Sequence, residues 1–224
     1  MNKVIFNETP MVKEFRDFLL SDYCPQTEYP IHIKPFEVED DFIFFQIEQY
    51  PDNDKGVNYE ALKRGNIKEI WTFSRFNIKK LNENGINNCR YIQIKPTDEY
   101  YKKIISFNVD DTYESDVSFV GWLSDRRWKI INDLMSRGVR VNVINAQWDV
   151  YGDDRDMMIA KSKILLNVHY NDDWKCFEQI RCFPWLNTNK IIVSESSYDE
   201  DDRVIFVDYD KLVDTIIEVL NTKF

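Results

Sequence analysis

The sequence predicts an α/β protein with two Rossmann-like domains, each built on a parallel sheet, the N-terminal one being reduced. The length of 224 residues is enough for one large domain or two small ones. Short apolar runs alternate with amphipathic helical segments, a pattern typical of parallel sheets. A segment rich in Tyr, Asp and Lys, from 97 to 115, separates two such series and is interpreted as a linker. We therefore expect one domain over 1–112 and another over 113–224.

The first half alternates strand and helix signals. Its clearest strand is the run DFIFFQIEQ, which is dense in aromatic and β-branched residues. Ser74 is a good N-cap for the helix that follows IKEIWTF, and Gly85 suits the C′ position where that helix ends. The predicted strands are 31–36, 41–49, 67–73 and 89–94, and the predicted helices are 58–64 and 75–84.

The second half repeats this alternation more regularly. The strand VSFVGWL leads into Ser124, a candidate N-cap, and the helix after it carries an apolar stripe before Gly138 ends it. The predicted strands are 117–123, 139–144, 164–170, 190–194 and 204–207, and the predicted helices are 126–137, 153–162, 176–186 and 211–220.

Charge and hydropathy exclude several classes of protein. With 29 Lys and Arg against 39 Asp and Glu, the net charge is -10, which disfavours a general nucleic-acid or membrane-surface binder. A small anionic ligand in a local basic pocket is compatible with it. No apolar run reaches the roughly 18 residues of a membrane span, and no signal peptide is evident, so we expect a cytoplasmic protein. The bias toward Asn, Ile, Lys, Asp and Tyr suits an AT-rich genome, such as that of a low-GC bacterium or a large DNA virus, in which case the location is the host cytoplasm.

The first candidate site cluster follows the strand that ends in VGWL. In an open parallel sheet, ligands bind beyond the carboxyl ends of the strands. Gly121 permits close backbone approach there, and Ser124, Arg126 and Arg127 add a helix start with two guanidinium groups, which suits a diphosphate. In the alternative interpretation, Ser124 or Asp125 only caps the helix and both arginines lie in solvent.

Two further clusters follow neighbouring strands. The loop from Asn145 to Trp148 offers amides and an aromatic face for a nucleobase, although a surface loop with a packed Trp explains it nearly as well. His169 lies at a strand end, and Glu178 lies near the next helix start, where a carboxylate could bind two ribose hydroxyls. Alternatively, His169 is structural, and Glu178 is simply favoured in a first turn or pairs with Arg181.

The order of these motifs resembles the donor-binding domain of glycosyltransferases with the two-Rossmann GT-B fold, especially short family 1-like and spore-maturation-type members. The resemblance rests on FVGWLSDRR, RGVRVNVI, ILLNVHY, FEQIR and KIIVSE, and it covers about 67–195. The upstream stretch IKEIWTFSRFNIKKLNENGINNCRYIQIKP is similar to the end of the acceptor domain in that family. The resemblance implies transfer of a sugar from a nucleotide-sugar donor, UDP- or GDP-linked, to a glycan, protein or small-molecule acceptor.

The resemblance also implies roles for individual residues. Gly121 would admit the diphosphate, Arg127 would neutralise it with help from Arg126, and Glu178 would bind the ribose. The loop ending at Trp148 would face the base.

Catalytic roles follow in the same way for Arg127 and for His169, which would point toward the sugar or the phosphate. Many retaining members carry a second glutamate eight positions before the ribose-binding one, where this chain has Tyr170. The stereochemical outcome therefore stays open.

We expect no metal ion and no cofactor. No Asp-x-Asp metal pair fits, and the adjacent carboxylates at 110–111, 153–154 and 172–173 are better explained as loops. In such an enzyme, arginines and a helix N-terminus stabilise the departing diphosphate. An inverting enzyme also needs a base from the N-terminal domain, for which Glu48 is the candidate.

The main alternative is a catalytically silent GT-B-like binding or scaffold subunit. Tyr170 and the short N-terminal half favour it, whereas Arg127 and Glu178 favour the enzyme. The short first half also raises the alternative that a partner chain, as in a homodimer, completes the acceptor site.

Overall fold

The computed structural model describes residues 2–5, 13–33, 38–107, 112–145 and 150–222. The chain forms two compact units, Met1–Thr97 and Asp98–Phe224. Each unit contains one five-stranded sheet in which all paired strands are parallel. The predicted α/β class with two Rossmann-like parallel sheets is confirmed.

The first unit has its strands in chain order across the sheet. It consists of β1 (Val4–Ile5), α1 (Lys13–Leu20), β2 (Ile31–His32), β3 (Phe42–Gln46), α2 (Tyr59–Leu62), β4 (Ile67–Thr72), α3 (Arg75–Glu83) and β5 (Cys89–Tyr91). Ser74 caps α3 as predicted, since its side chain accepts a hydrogen bond from the Asn77 amide. The sequence analysis missed β1 and α1, because two residues of strand and eight of helix carry little periodicity.

The second unit has the strand order β10-β9-β8-β6-β7, which reverses direction at β6. Its elements are α4 (Asp98–Ser106), β6 (Ser115–Gly121), α5 (Asp125–Ser136), β7 (Val141–Asn145), α6 (Gly152–Ala160), β8 (Ser162–Asn167), α7 (Gln179–Cys182), β9 (Ile191–Glu195), β10 (Ile205–Val207), a 3-10 turn (Tyr209–Lys211) and α8 (Leu212–Asn221). In such a doubly wound sheet, the crevice for a ligand opens beyond the carboxyl ends of the two strands at the reversal, here β6 and β8.

Two apolar layers cover the second sheet. Phe119 of β6 and Leu166 of β8 belong to the layer formed with α5 and α8, whereas Leu165 belongs to the layer formed with α4, α6 and α7. This division follows from the alternation of side chains along a strand. Both faces of the central strands are buried, so functional groups are confined to the strand ends.

The predicted linker from 97 to 115 is wrong in its first part, because α4 forms there. Tyr100 and Ile104 are buried in the second unit, and the Tyr100 hydroxyl donates to Asp156 Oδ2 at 2.8 Å. Arg155 in turn bonds the same carboxylate through Nε at 2.9 Å. These contacts place the division between units at Thr97, before α4, and not after residue 112.

The predicted helix from 176 to 186 is reduced to the four residues of α7 in the structure. Its first residues are extended, because Phe177 donates its backbone N–H to the Tyr198 carbonyl at 2.9 Å, and Cys176 forms a parallel bridge with Tyr198. This pairing holds the chain between β8 and α7 against the loop after β9.

Candidate functional site at the carboxyl ends of β6 and β8

Gly121, the last residue of β6, lies directly beneath two guanidinium groups. Its φ is +136°, a conformation that L side chains rarely adopt. A Cβ at this position would lie 2.8 Å from Nη2 of Arg181 and 3.5 Å from Nη1 of Arg127. The groups that approach this glycine closely are therefore these two arginines, and the expected approach of a diphosphate to its backbone stays a prediction.

Arg127 is held rigidly in the first turn of α5. The residue is only 3% exposed, and Nε donates to the Val168 carbonyl while Nη1 donates to the Trp122 carbonyl, both at 2.8 Å. Burial, with the nearby Arg181 charge, lowers the pKa of Arg127 to about 9. None of the described carboxylates forms an ion pair with it. The cation is thus fixed in place without a counterion.

Arg181, from α7, is the second cation, and the sequence analysis did not assign it to the site. Its Nη1 donates to Asn167 Oδ1 at 2.5 Å, and Asn167 Nδ2 donates to Ser194 Oγ at 3.0 Å. Asn167 and Ser194 are both fully buried. Within the described ranges Arg181 has no ion pair with a carboxylate, so the predicted alternative of a pairing with Glu178 is not observed.

The two neighbouring guanidinium groups would be stabilised by a bound anion. Both lie within 6 Å of the ring of Phe119, Arg127 at 5.5 Å and Arg181 at 5.6 Å. Like charges this close, partly removed from water and without a carboxylate partner, are unfavourable unless an anion joins them. Phosphate oxygens match guanidinium N–H groups in geometry and charge. The arrangement is suited to hold a phosphate group beside the end of β6.

Ser124 acts as the helix cap. Its Oγ accepts from the Arg127 amide at 3.3 Å and donates to the Tyr170 carbonyl at 2.8 Å. The structural alternative for this residue is therefore observed, and the hydroxyl also ties α5 to the segment after β8. Its predicted contact with a nucleotide-sugar donor stays a prediction.

Arg126 departs from its predicted role because two carboxylates already neutralise it. Nη1 donates to Glu195 Oε2 at 2.6 Å, Nη2 bonds the other Glu195 oxygen, and Nε donates to Asp172 at 3.0 Å. The guanidinium also lies 3.8 Å from the centroid of the Tyr209 ring. Adjacent helix residues point about 100° apart, so Arg126 and Arg127 reach different partners. The alternative interpretation, in which both arginines lie in solvent, is not observed either, because the Arg126 side chain is 18% exposed and Arg127 is buried.

His169 is buried beside that ion pair. The residue is 2% exposed, its backbone N–H donates to Glu195 Oε2 at 3.1 Å, and Nε2 lies 3.1 Å from both the Ser196 carbonyl and Ser197 Oγ. Because burial lowers the pKa, the ring is neutral near pH 7. A carbonyl only accepts, so Nε2 carries the proton, and Nδ1 is a buried atom without a hydrogen-bond partner among the described residues. The side chain thus contacts the loop after β9, and its predicted role at the sugar or phosphate stays a prediction.

Glu178 offers a carboxylate close to this site. It precedes α7 as its N-cap residue, and within the part of the chain that the structure describes its side chain forms no hydrogen bond or ion pair. Its charge partly offsets the lowering of the pKa that burial causes at both Arg127 and His169. Such a carboxylate can accept hydrogen bonds from a ligand hydroxyl.

The predicted base-binding loop is only partly visible. Asn145 ends β7, pairs in register with Gly121, and is 5% exposed. Trp148 lies outside the described residues. Tyr170 is 47% exposed, and its ring centroid lies 5.5 Å from the Arg127 guanidinium carbon, so an aromatic ring borders Arg127.

Glu48 lies in the first unit, two positions beyond β3. It is exposed, and its carbonyl accepts from Gln46 Nε2 at 2.8 Å and from Asn77 Nδ2 at 2.9 Å. These bonds fix the backbone at the carboxyl end of the first sheet. Its role as a base stays a prediction.

The described ranges lack a metal-binding cluster and a membrane-spanning helix. They contain no group of three or more His, Cys, Asp or Glu side chains that could hold a metal ion. None of the helices there combines the length and the apolar character that crossing a bilayer requires.

Comparison with known proteins finds viral relatives of undefined function. No protein-family model and no solved structure matches the chain. It is similar to two uncharacterized proteins of Acanthamoeba polyphaga mimivirus. One is 40% identical over 146 residues, which are 58% of this chain and 16% of that protein. The other is 32% identical over 165 residues, which are 68% of this chain and 51% of that protein. The chain therefore spans about half or less of these relatives, and they are compatible with the predicted viral source.

Proposed function

We propose that this chain is a metal-independent glycosyltransferase that binds a UDP- or GDP-linked sugar beyond β6 and β8 and transfers the sugar to a glycan, protein or small-molecule acceptor. The observation that carries the proposal is the convergence of Arg127 and Arg181 over Gly121, where none of the described carboxylates forms an ion pair with either arginine. A diphosphate supplies the missing negative charge, and it is also the leaving group of a nucleotide-sugar.

The chemistry that this site supports is stabilisation of the leaving group. When the bond from the sugar to the diphosphate breaks, negative charge develops on the phosphate oxygens. Arg127 is already oriented by two carbonyls and so reorganises little as that charge forms. Arg181, oriented by Asn167, acts on the same charge. Glu178 is the acceptor available to ribose hydroxyls.

The remaining roles belong to the same proposal. Asn145 and the loop through Trp148 would face the base, His169 would act near the sugar through its unpartnered Nδ1, and Glu48 would serve an inverting mechanism as the base. The enzyme would need no cofactor and would work in the cytoplasm, that of the host if the chain is viral like its relatives.

Nucleotide binding is the first test. Thermal unfolding of the purified protein is measured with UDP, GDP, CMP and TDP and their sugars, because a ligand of the native state raises the midpoint. At 100 times the Kd, the stabilisation is about 2.7 kcal/mol. We expect one nucleotide family to give a shift that Arg181→Met and Glu178→Gln reduce.

The matched control is Arg140→Met, which removes an exposed arginine ion-paired with Asp116 at the opposite, amino edge of the same sheet. It should leave the shift intact. Equal shifts in Arg181→Met and Arg140→Met would contradict the proposed site.

A catalytically silent binding or scaffold subunit is the second candidate. The neutral, buried His169 and the carboxylate-bound Arg126 favour it, because both remove groups that the enzyme was expected to use. It predicts the same nucleotide binding without turnover. Release of free nucleotide from the bound sugar donor, followed over hours with and without glycan acceptors, separates the two candidates.

A further inference from the structure

A cavity lies at the amino ends of the strands of the second sheet, opposite the proposed nucleotide site. It encloses about 230 Å³ where α4, the end of α6 and the residues before β9 meet. Its lining is mainly aromatic and aliphatic, and includes Tyr101, Ile104, Tyr113, Trp185 and Lys190. The proposed nucleotide site lies at the carboxyl ends of the same strands. The cavity therefore belongs to a different site with its own lining residues.

Lys190 is the one lysine or arginine among the described residues that line this cavity. Nζ donates to the Ala160 carbonyl at 3.1 Å and also to the Ser162 carbonyl. The ring centroids of Tyr113 and Trp185 are 5.6 and 5.8 Å away. No carboxylate among the described residues forms an ion pair with this lysine, whereas Lys161, which is also partly buried, pairs with Glu114.

The surroundings of Nζ match a neutral amine better than an ammonium ion. An ammonium has three N–H donors, whereas a neutral amine has two donors and one lone pair. The two carbonyls satisfy two donors, and no third hydrogen-bond partner of Nζ is present among the described residues. Burial accordingly lowers the pKa of Lys190 to about 7. A lysine desolvated in this way is an activated nucleophile.

We propose that Lys190 is a covalent binding site for uncharged carbonyl compounds, with aromatic aldehydes as the preferred class. The Nζ lone pair attacks the carbonyl carbon to give a carbinolamine. Loss of water, which carries away both amine protons with the carbonyl oxygen, then leaves an imine. The apolar lining favours an uncharged aromatic group, and no other side-chain cation of the lining is present to hold a carboxylate or phosphate.

The test is competitive labelling of the intact protein with benzaldehyde and sodium cyanoborohydride at pH 7, followed by peptide mass spectrometry. Lys129, exposed on α5, is the internal reference. Because an ordinary lysine with a pKa near 10.4 is almost wholly protonated at pH 7, we expect Lys190 to be labelled about tenfold faster or more. Its labelling rate should level off above pH 8, because the amine is then already neutral.

Two results would overturn the proposal. One is labelling of Lys190 no faster than that of Lys129 at pH 7, which would mean a lysine that only caps α6. The other is equal labelling of Lys190 by glyoxylate, an anionic aldehyde, which would remove the assignment of an uncharged class. Saturating UDP should not change the rate, so this test is independent of the nucleotide site.

Discussion

The substitution Gly121→Ala tests whether the glycine exists to bring two guanidinium groups together. A non-glycine residue at φ +136° is strained by about 1–3 kcal/mol. The added Cβ would also lie 2.8 Å from Nη2 of Arg181, so that guanidinium must move away from the strand end. A hydrogen bond from a charged group contributes about 1.5–3 kcal/mol, so loss of one Arg181–phosphate contact should weaken UDP binding at least about tenfold.

Gly138→Ala is the matched control. Gly138 has φ +84°, and a Cβ there would meet nothing within 4 Å, so the variant carries backbone strain without displacing an arginine. Urea unfolding should show that both variants lose stability, whereas isothermal titration calorimetry with UDP should show weaker binding for Gly121→Ala alone. Wild-type UDP affinity in a folded Gly121→Ala protein would refute the reasoning.

Three further predictions concern individual contacts. Asn167→Asp places a carboxylate against Arg181. UDP affinity in calorimetry should then fall at least about tenfold with little loss of stability, because the arginine is already paired. Unchanged affinity would contradict the need for an unpaired cation. Ser124→Ala removes the α5 cap and the bond to the Tyr170 carbonyl, so the free energy of unfolding should fall by about 1–2 kcal/mol; a loss below 0.3 kcal/mol, about the noise of such measurements, would contradict it. Burial lowers the pKa of Lys190 from 10.5 to about 7, so between pH 7 and 10 the unfolded chain binds more protons than the folded one. The free energy of unfolding should therefore rise with pH over this range, by up to about 1.4 kcal/mol per pH unit. Lys190→Met should abolish that rise in urea unfolding, and an unchanged slope in the variant would contradict the prediction.

Local signals in the sequence were sufficient for the central part of the second unit. Ser124 before an amphipathic run and Gly138 after it define α5 in the structure within one residue of the prediction at each end. The apolar strands on either side paired in parallel, as alternation with helices predicted. Caps and periodicity are properties of neighbouring residues, so a single sequence contains them.

The composition of the site depended on tertiary geometry, which the sequence does not display. Arg126 and Arg127 are identical, adjacent residues in the sequence. In the structure, however, Arg126 is bound by Glu195 and Arg127 faces Gly121. Arg181 joins the site only because α7 is short and the chain before it pairs with Tyr198. The helix α4 was not predicted because its many tyrosines and lysines are typical of a linker, although Tyr100 and Ile104 form a buried face.

The most direct test of the proposed site compares UDP with uridine, and GDP with guanosine, in calorimetry on the wild-type protein and on Arg181→Met. If the two arginines bind the diphosphate, one of the two diphosphates binds the wild type far more tightly than its nucleoside does, and most of that difference disappears in the variant. Weak binding of both diphosphates, equal to that of their nucleosides, would contradict the account, and so would a difference that survives removal of Arg181.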